Sequence, residues 1–189
     1  MKRSFANFRI KDYIPRKHNI VIFFIFIFII CSTTKHWFSQ HSLEWLYVLL
    51  FSSIVSYLCV PVVKIIAQRR NIVDTPDNRK IHKTPTALLG GVAVYIAFVS
   101  AIIITNSYSL ELKGVAIGAT IIFIIGLIDD IVTLRARLKI IIQIIAVSIM
   151  IYYGVVADFL PNTWWGHFFE IAITFLWMLG ITNSLNFFD

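Results

Sequence analysis

Two adjacent carboxylates, Asp129 and Asp130, follow directly on the apolar run that ends Gly126-Leu127-Ile128. If that run is a helix, they stand at its C-terminal end, the negative pole of the helix dipole, where an anion costs a few tenths of a kcal/mol to about 1 kcal/mol. Like charges placed side by side at such a pole repel unless a cation is shared. Local electrostatics broken in this way tend to mark function. A hard divalent ion such as Mg²⁺, which takes one or two carboxylates plus substrate phosphate oxygens, would relieve the repulsion. The plainer reading is a solvated helix cap neutralised by Arg135 and Arg137, and an Asp pair alone does not choose between the two.

Two further groups of polar residues fall where an apolar chain does not require them. Arg79, Lys80, His82 and Lys83 cluster in the segment from Asn71 to Pro85. Pro76 and Pro85 exclude a continuous helix there, and such a cluster suits phosphate, arginine as a planar fork and lysine as a mobile point charge. Asn183, Asn186 and Asp189 recur at i, i+3 and i+6 near the end of the last apolar run, so a helix would carry them on one face. That face would be costly unless it lined a hydrated cleft shared with Asp129 and Asp130. Gln143, four residues after Lys139, reads as a helix-to-helix hydrogen bonder or as merely interfacial. Gly114 and Gly118 form a G-x-x-x-G that would let two helices approach closely. Glu170 reads as an unremarkable carboxylate near a helix N-terminus. Cys31 and Cys59 read as small buried apolar side chains.

Composition and hydropathy place all of these residues on or between membrane helices. Of 189 residues, 58% are hydrophobic and 14% charged, against about 45–50% and 25% in soluble domains, and mean hydropathy is +0.80. The apolar residues come as runs, residues 45–63, 87–104, 114–128, 140–156 and 168–185, each close to the roughly 20 residues that span a bilayer as a helix. No period-2 alternation supports a barrel. A shorter run, residues 20–31, reads as a retained signal anchor rather than a cleaved signal peptide. The expected fold is therefore all-α and polytopic, with about six transmembrane helices, five plus the extra N-terminal anchor. The expected division is residues 1–44, a basic N-terminus and anchor, and residues 45–189, the membrane domain.

Six crossings put every basic residue except Lys35 and Lys113 on one side, and the positive-inside rule makes that side cytoplasmic. The net charge of +7 is then explained by topology and anionic lipid, with no nucleic acid needed. Trp37, Trp45, Trp164 and Trp165 suit interfacial belts.

In chain order the motifs are Val73-Asp74-x-Pro76-x-x-Arg79-Lys80-x-His82, Pro85 with Gly90-Gly91, Gly126-x-x-Asp129-Asp130, Lys139-x-x-x-Gln143, and Asn183-x-x-Asn186-x-x-Asp189. This series resembles the polyprenyl-phosphate N-acetylhexosamine-1-phosphate transferase family over residues 45–189. Bacterial members start the assembly of lipopolysaccharide O-antigen, enterobacterial common antigen and the cell-wall teichoic acids. The resemblance implies a multi-pass enzyme of the inner (plasma) membrane with its active face in the cytoplasm. It would use Mg²⁺, or Mn²⁺ in its place, to transfer a sugar 1-phosphate from a UDP-sugar to polyprenyl phosphate, releasing UMP. Carried over, Asp129 and Asp130 are the catalytic pair serving the lipid phosphate or metal, and Asp129 and Asp189 are metal ligands. Arg79, Lys80 and His82 form the phosphate-binding surface, while Asn183 and Asn186 bind substrate at the nucleotide side.

The family's last motif normally continues beyond the position of Asp189 with Gly and a second Asp, followed by further helices and a His- and Arg-rich loop. The expectation is thus a fragment of a transferase, itself inactive or nearly so. Mg²⁺-dependent product formation by the purified 189-residue chain would overturn it. Two other classes stay open: a transporter or channel subunit with Asp129, Asp130 and Asp189 on an ion path, and a non-catalytic membrane partner packing through Gly114 and Gly118. The transferred sugar and the oligomeric state, a homo-oligomer included, are left open.

Overall fold

The computed structural model describes residues 21–22, 25–27, 29–74, 86–105 and 108–188. They build six helices and one two-rung β ladder. The helices are α1 (Ser32–Gln40), α2 (Glu44–Arg69), α3 (Gly90–Thr105), α4 (Leu110–Ile131), α5 (Ala136–Tyr152) and α6 (Trp164–Phe188). The ladder pairs β1 (Val73–Asp74) with β2 (Thr86–Ala87) antiparallel, Val73 opposite Ala87 and Asp74 opposite Thr86. The expected all-α membrane class holds, the ladder being a clasp on a connection. Arg79, Lys80, His82 and Lys83, which fall between its strands, lie outside the described residues.

The helices α2, α4 and residues 164–184 of α6 are long and apolar enough to cross a membrane, and α3 is apolar but shorter. Their outward faces are apolar, with Ile103, Val94, Leu110, Leu176 and Trp177 all more than 60% exposed, as lipid contact requires and water does not favour. Trp37, Trp45, Trp164 and Trp165 are exposed as well, in keeping with interfacial belts.

The chain forms two compact units, Met1–Asn106 and Ser107–Asp189. In the first, α2 packs on α3 because α3 presents Ala93, Ala97 and Ala101, all buried, at i, i+4 and i+8 on one face. Tyr47, Phe51 and Val55 of α2 complete the core with Ala97 and Ile29 of the first apolar run, so that run, helical at residues 25–27 and 29–30, packs on α2. Lys35 Nζ donates to the Ile104 carbonyl (2.6 Å), satisfying an acceptor at the end of α3 that the helix leaves open. Cys59 is partly buried as expected, but Cys31 is exposed, its thiol 3.0 Å from the Thr33 hydroxyl: it stands at a helix start rather than within a packed face.

In the second unit α4, α5 and α6 run up, down and up, α5 packing against both others. Gly114 and Gly118 are the reason α4 and α5 come so close. A Cβ on Gly114 would lie 2.5 Å from Tyr153 Cβ, and one on Gly118 2.5 Å from Met150 Cγ. This close approach is intramolecular, so the idea that Gly114 and Gly118 form a face for a partner helix is corrected: α5 already fills it.

Glu170 also departs from expectation. It lies within α6, is 7% exposed, and accepts from the Phe159 and Leu160 amides (3.0 and 2.8 Å). One turn on, Thr174 Oγ1 accepts from the Ala157 amide at 3.0 Å. Together they pin the α5–α6 connection against α6, at the end of the unit opposite Asp129.

Candidate functional site

Because α4 ends, α5 begins and α6 ends at the same pole of the second unit, Asp129, Lys139 and Asn183 are brought to one level. Asp129 is in the last turn of α4, and the chain must reverse within four residues to start α5 at Ala136. The Asp129 carboxylate closes that reversal, its Oδ1 accepting from the Leu134 amide at 2.8 Å. Its Oδ2 is paired with Lys139 Nζ on the second turn of α5. The anion at the unfavourable end of α4 is thus offset by a fixed ammonium. Arg135 and Arg137, the neutralising partners in the plainer of the two readings, are exposed, and no ion pair with Asp129 is formed by either among the described residues; they sit before and on the first turn of α5, whereas Lys139 reaches across.

The side chains of Asp129 and Lys139 keep 27% and 28% of their surface exposed, so the pair is accessible at its rim. Asp130 is exposed and next to it. The structure therefore places two carboxylates and one ammonium at a helix end, partly open to the surroundings.

One turn further along α5, Gln143 is buried (3% exposed) and receives a hydrogen bond from Asn183 Nδ2 of α6 at 2.9 Å. Asn183 Nδ2 also donates to its own helix, to the Leu179 carbonyl at 2.8 Å. Lys139 and Gln143 are i and i+4, separated by about 6 Å of helix rise. A single face of α5 thus holds Asp129 on one neighbour and Asn183 on the other, and Gln143 is a helix-to-helix hydrogen bonder rather than an interfacial residue. Asn186 follows on α6 within Trp164–Phe188; Asp189 lies outside the described residues.

Lys139 and Gln143 are the functional candidates missing from the residues first singled out for substrate or metal. The signal was their helical spacing soon after an adjacent carboxylate pair. Among the described residues no group of three or more His, Cys, Asp and Glu gathers as a metal cage. Two carboxylates do match the sparse protein donor set of Mg²⁺, whose remaining sites are filled by water and substrate phosphate.

The Glycosyl transferase family 4 profile matches residues 112–189, the segment that carries Asp129, Lys139, Gln143 and Asn183. The chain is 34% identical over 146 residues to the probable undecaprenyl-phosphate N-acetylglucosaminyl 1-phosphate transferase of Bacillus subtilis (strain 168), covering 72% of this chain and 41% of that protein. It is 30% identical over 156 residues to the decaprenyl-phosphate N-acetylglucosaminephosphotransferase of Mycobacterium tuberculosis (strain CDC 1551 / Oshkosh), covering 74% and 39%. It is 21% identical over 140 residues to the undecaprenyl-phosphate alpha-N-acetylglucosaminyl 1-phosphate transferase of Thermotoga maritima, covering 74% and 44%. The chain thus spans about two fifths of the length of these relatives. No solved structure matches it. With apolar helices of membrane length, this membrane protein is similar over residues 112–189 to Glycosyl transferase family 4.

Proposed function

We propose that residues 45–189 form the N-terminal half of a membrane-embedded transferase that moves N-acetylhexosamine 1-phosphate from a UDP-sugar to polyprenyl phosphate at the cytoplasmic face. The observation that carries this reading is the Asp129–Lys139 pair at the end of a membrane-length helix, joined through one turn of α5 to Asn183. Relatives named as polyprenyl-phosphate N-acetylglucosaminyl 1-phosphate transferases support it. In the reaction, an oxygen of the lipid phosphate forms a bond to the sugar-bound phosphorus of the donor, and the bond from that phosphorus to UMP breaks.

The difficulty is to bring one anion against another, so catalysis rests on positioning and charge compensation. Asp129 and Asp130 supply the carboxylates that would hold Mg²⁺ or Mn²⁺ together with phosphate oxygens, or accept the proton of the lipid phosphate. A bound divalent ion would neutralise charge developing between the two phosphates. Lys139 keeps Asp129 charged-paired and oriented until substrate arrives. Arg79, Lys80 and His82 are assigned the phosphate-binding surface, Asn183 and Asn186 the donor side, and Asp189 a metal-ligand role. The basic residues favour the cytoplasmic placement of all of them, through six crossings of the inner membrane.

The reading is tested by replacing the matching segment of the Bacillus subtilis relative with residues 45–189 of this chain and supplying undecaprenyl phosphate, UDP-N-acetylglucosamine and MgCl₂. The expected result is a lipid diphosphate-sugar and UMP in equal amounts, with Asp129→Asn slowing the reaction at least about a hundredfold. A chimera that inserts into the membrane and makes no product refutes it.

A further inference from the structure

We propose that Gln143 is a positioning residue that locks the amide of Asn183 so that it offers a ligand an acceptor oxygen and no donor. The inference rests on the transferase reading only in taking Asn183 to face substrate. Which end of an asparagine amide is nitrogen is ordinarily settled by its partners. Here one partner leaves no choice, because the Leu179 carbonyl, 2.8 Å away, can only accept. The atom facing it is therefore Nδ2.

An asparagine amide nitrogen has two hydrogens, and the second goes to Gln143 Oε1 at 2.9 Å. With both used, Oδ1 is what Asn183 has left to give, and the residue is exposed. Gln143 is 3% exposed, so it acts through Asn183. A locked acceptor suits a divalent cation, or an N–H or O–H donor such as a nucleobase imide or a sugar hydroxyl. It does not suit a phosphate oxygen, which is itself an acceptor. The locking therefore assigns phosphate to other residues and gives Asn183 the cation or donor-group contact.

The test uses the whole 189-residue chain in detergent micelles, labelled with ¹⁵N-asparagine, the Asn183 side-chain signals being those lost in Asn183→Ala. In the unaltered chain both Nδ2 protons should exchange with water roughly two- to tenfold more slowly than those of an exposed asparagine. Solvent-like exchange there overturns the proposal without any variant. Gln143→Met removes the acceptor and should make exchange solvent-like, whereas Gln143→Glu keeps an acceptor oxygen and should preserve the slow exchange. Two probes separate the ligand sources, MnCl₂ alone and UMP in EDTA. Broadening of the Asn183 signals by Mn²⁺ identifies the cation, and their displacement by UMP identifies a donor group. Either response should weaken roughly tenfold in Gln143→Met and return in Gln143→Glu. A response to inorganic phosphate stronger than to both probes, or no response to either, overturns the assignment. Failure of the chimera assay would leave the exchange result intact, so the two readings fall separately.

Discussion

Lys139→Met asks whether this ammonium stands where a shared cation is needed. Methionine keeps an unbranched apolar stem nearly as long as that of lysine and removes its ammonium, while the Leu134 amide still holds Asp129 Oδ1 and preserves the α4–α5 reversal. What remains is an unpaired carboxylate beside Asp130 at the negative pole of α4. A fully exposed pair would contribute about 0–1 kcal/mol, and breaking a fully buried one costs about 3–5 kcal/mol. With 27% and 28% of the two side chains exposed, the loss should fall between, at roughly 1–2 kcal/mol. At roughly 2–4 °C per kcal/mol for a chain of this size, thermal unfolding in detergent should drop by about 2–8 °C. Millimolar MgCl₂ should narrow the gap between Lys139→Met and the unaltered chain, since the ion can take the place of the ammonium. The reasoning is refuted if Mg²⁺ stabilises both chains equally.

Other perturbations follow from the same contacts. Gly114→Ala drives a Cβ to 2.5 Å from Tyr153 Cβ; overpacking of about 1–3 kcal/mol, less about 1 kcal/mol of helix propensity, leaves a net loss of up to about 2 kcal/mol in thermal unfolding. Gly118→Ala meets the flexible Met150 side chain instead and should be near neutral. The Tyr47 hydroxyl is buried with no hydrogen-bond partner among the described residues, so Tyr47→Phe should raise stability by about 1 kcal/mol in the same measurement. Glu170→Ala strands the Phe159 and Leu160 amides, and their hydrogen exchange should speed up at least roughly tenfold with little change at Asp129. In a Cys31→Ser, Cys59→Ser background, Thr133→Cys and Asn162→Cys should react with an impermeant thiol reagent from opposite sides of a vesicle, Thr133→Cys from the cytoplasmic side; labelling of both from one side would overturn the topology.

The helical framework was legible because long apolar runs have few other ways to satisfy their backbone in lipid: the runs at 45–63 and 114–128 lie inside helices of membrane length, and 168–185 lies inside α6, which holds such a span at 164–184. Their ends were less so. Helix α4 begins four residues before its apolar run, at Leu110, because Ser109 accepts from the Leu112 amide at 3.1 Å, a cap that hydropathy does not register. Asp129 and Asn183 were legible as candidates since each breaks a local rule at a helix end. Lys139 and Gln143 were legible as a spaced motif, with Gln143 either a helix-to-helix hydrogen bonder or interfacial, but which residues they pair with was not, because spacing within one helix does not name the neighbouring helix. Only the packing of α5 between α4 and α6 turns Lys139 and Gln143 into a connected rung. That rung also bears on how such a site is kept ready. If Asp129 were held by a loop alone, its carboxylate would reorient whenever Asp130 repelled it. Tying it to the same helical turn that locks Asn183 makes the two move together, so a shift of α5 by even a fraction of a turn would loosen both contacts at once. Substitutions that disturb the α4–α5 contact at Gly114, far down the helix from Asp129, should therefore weaken the Lys139 pair and the Gln143 hydrogen bond in the same proportion, whereas those at Glu170 should affect neither.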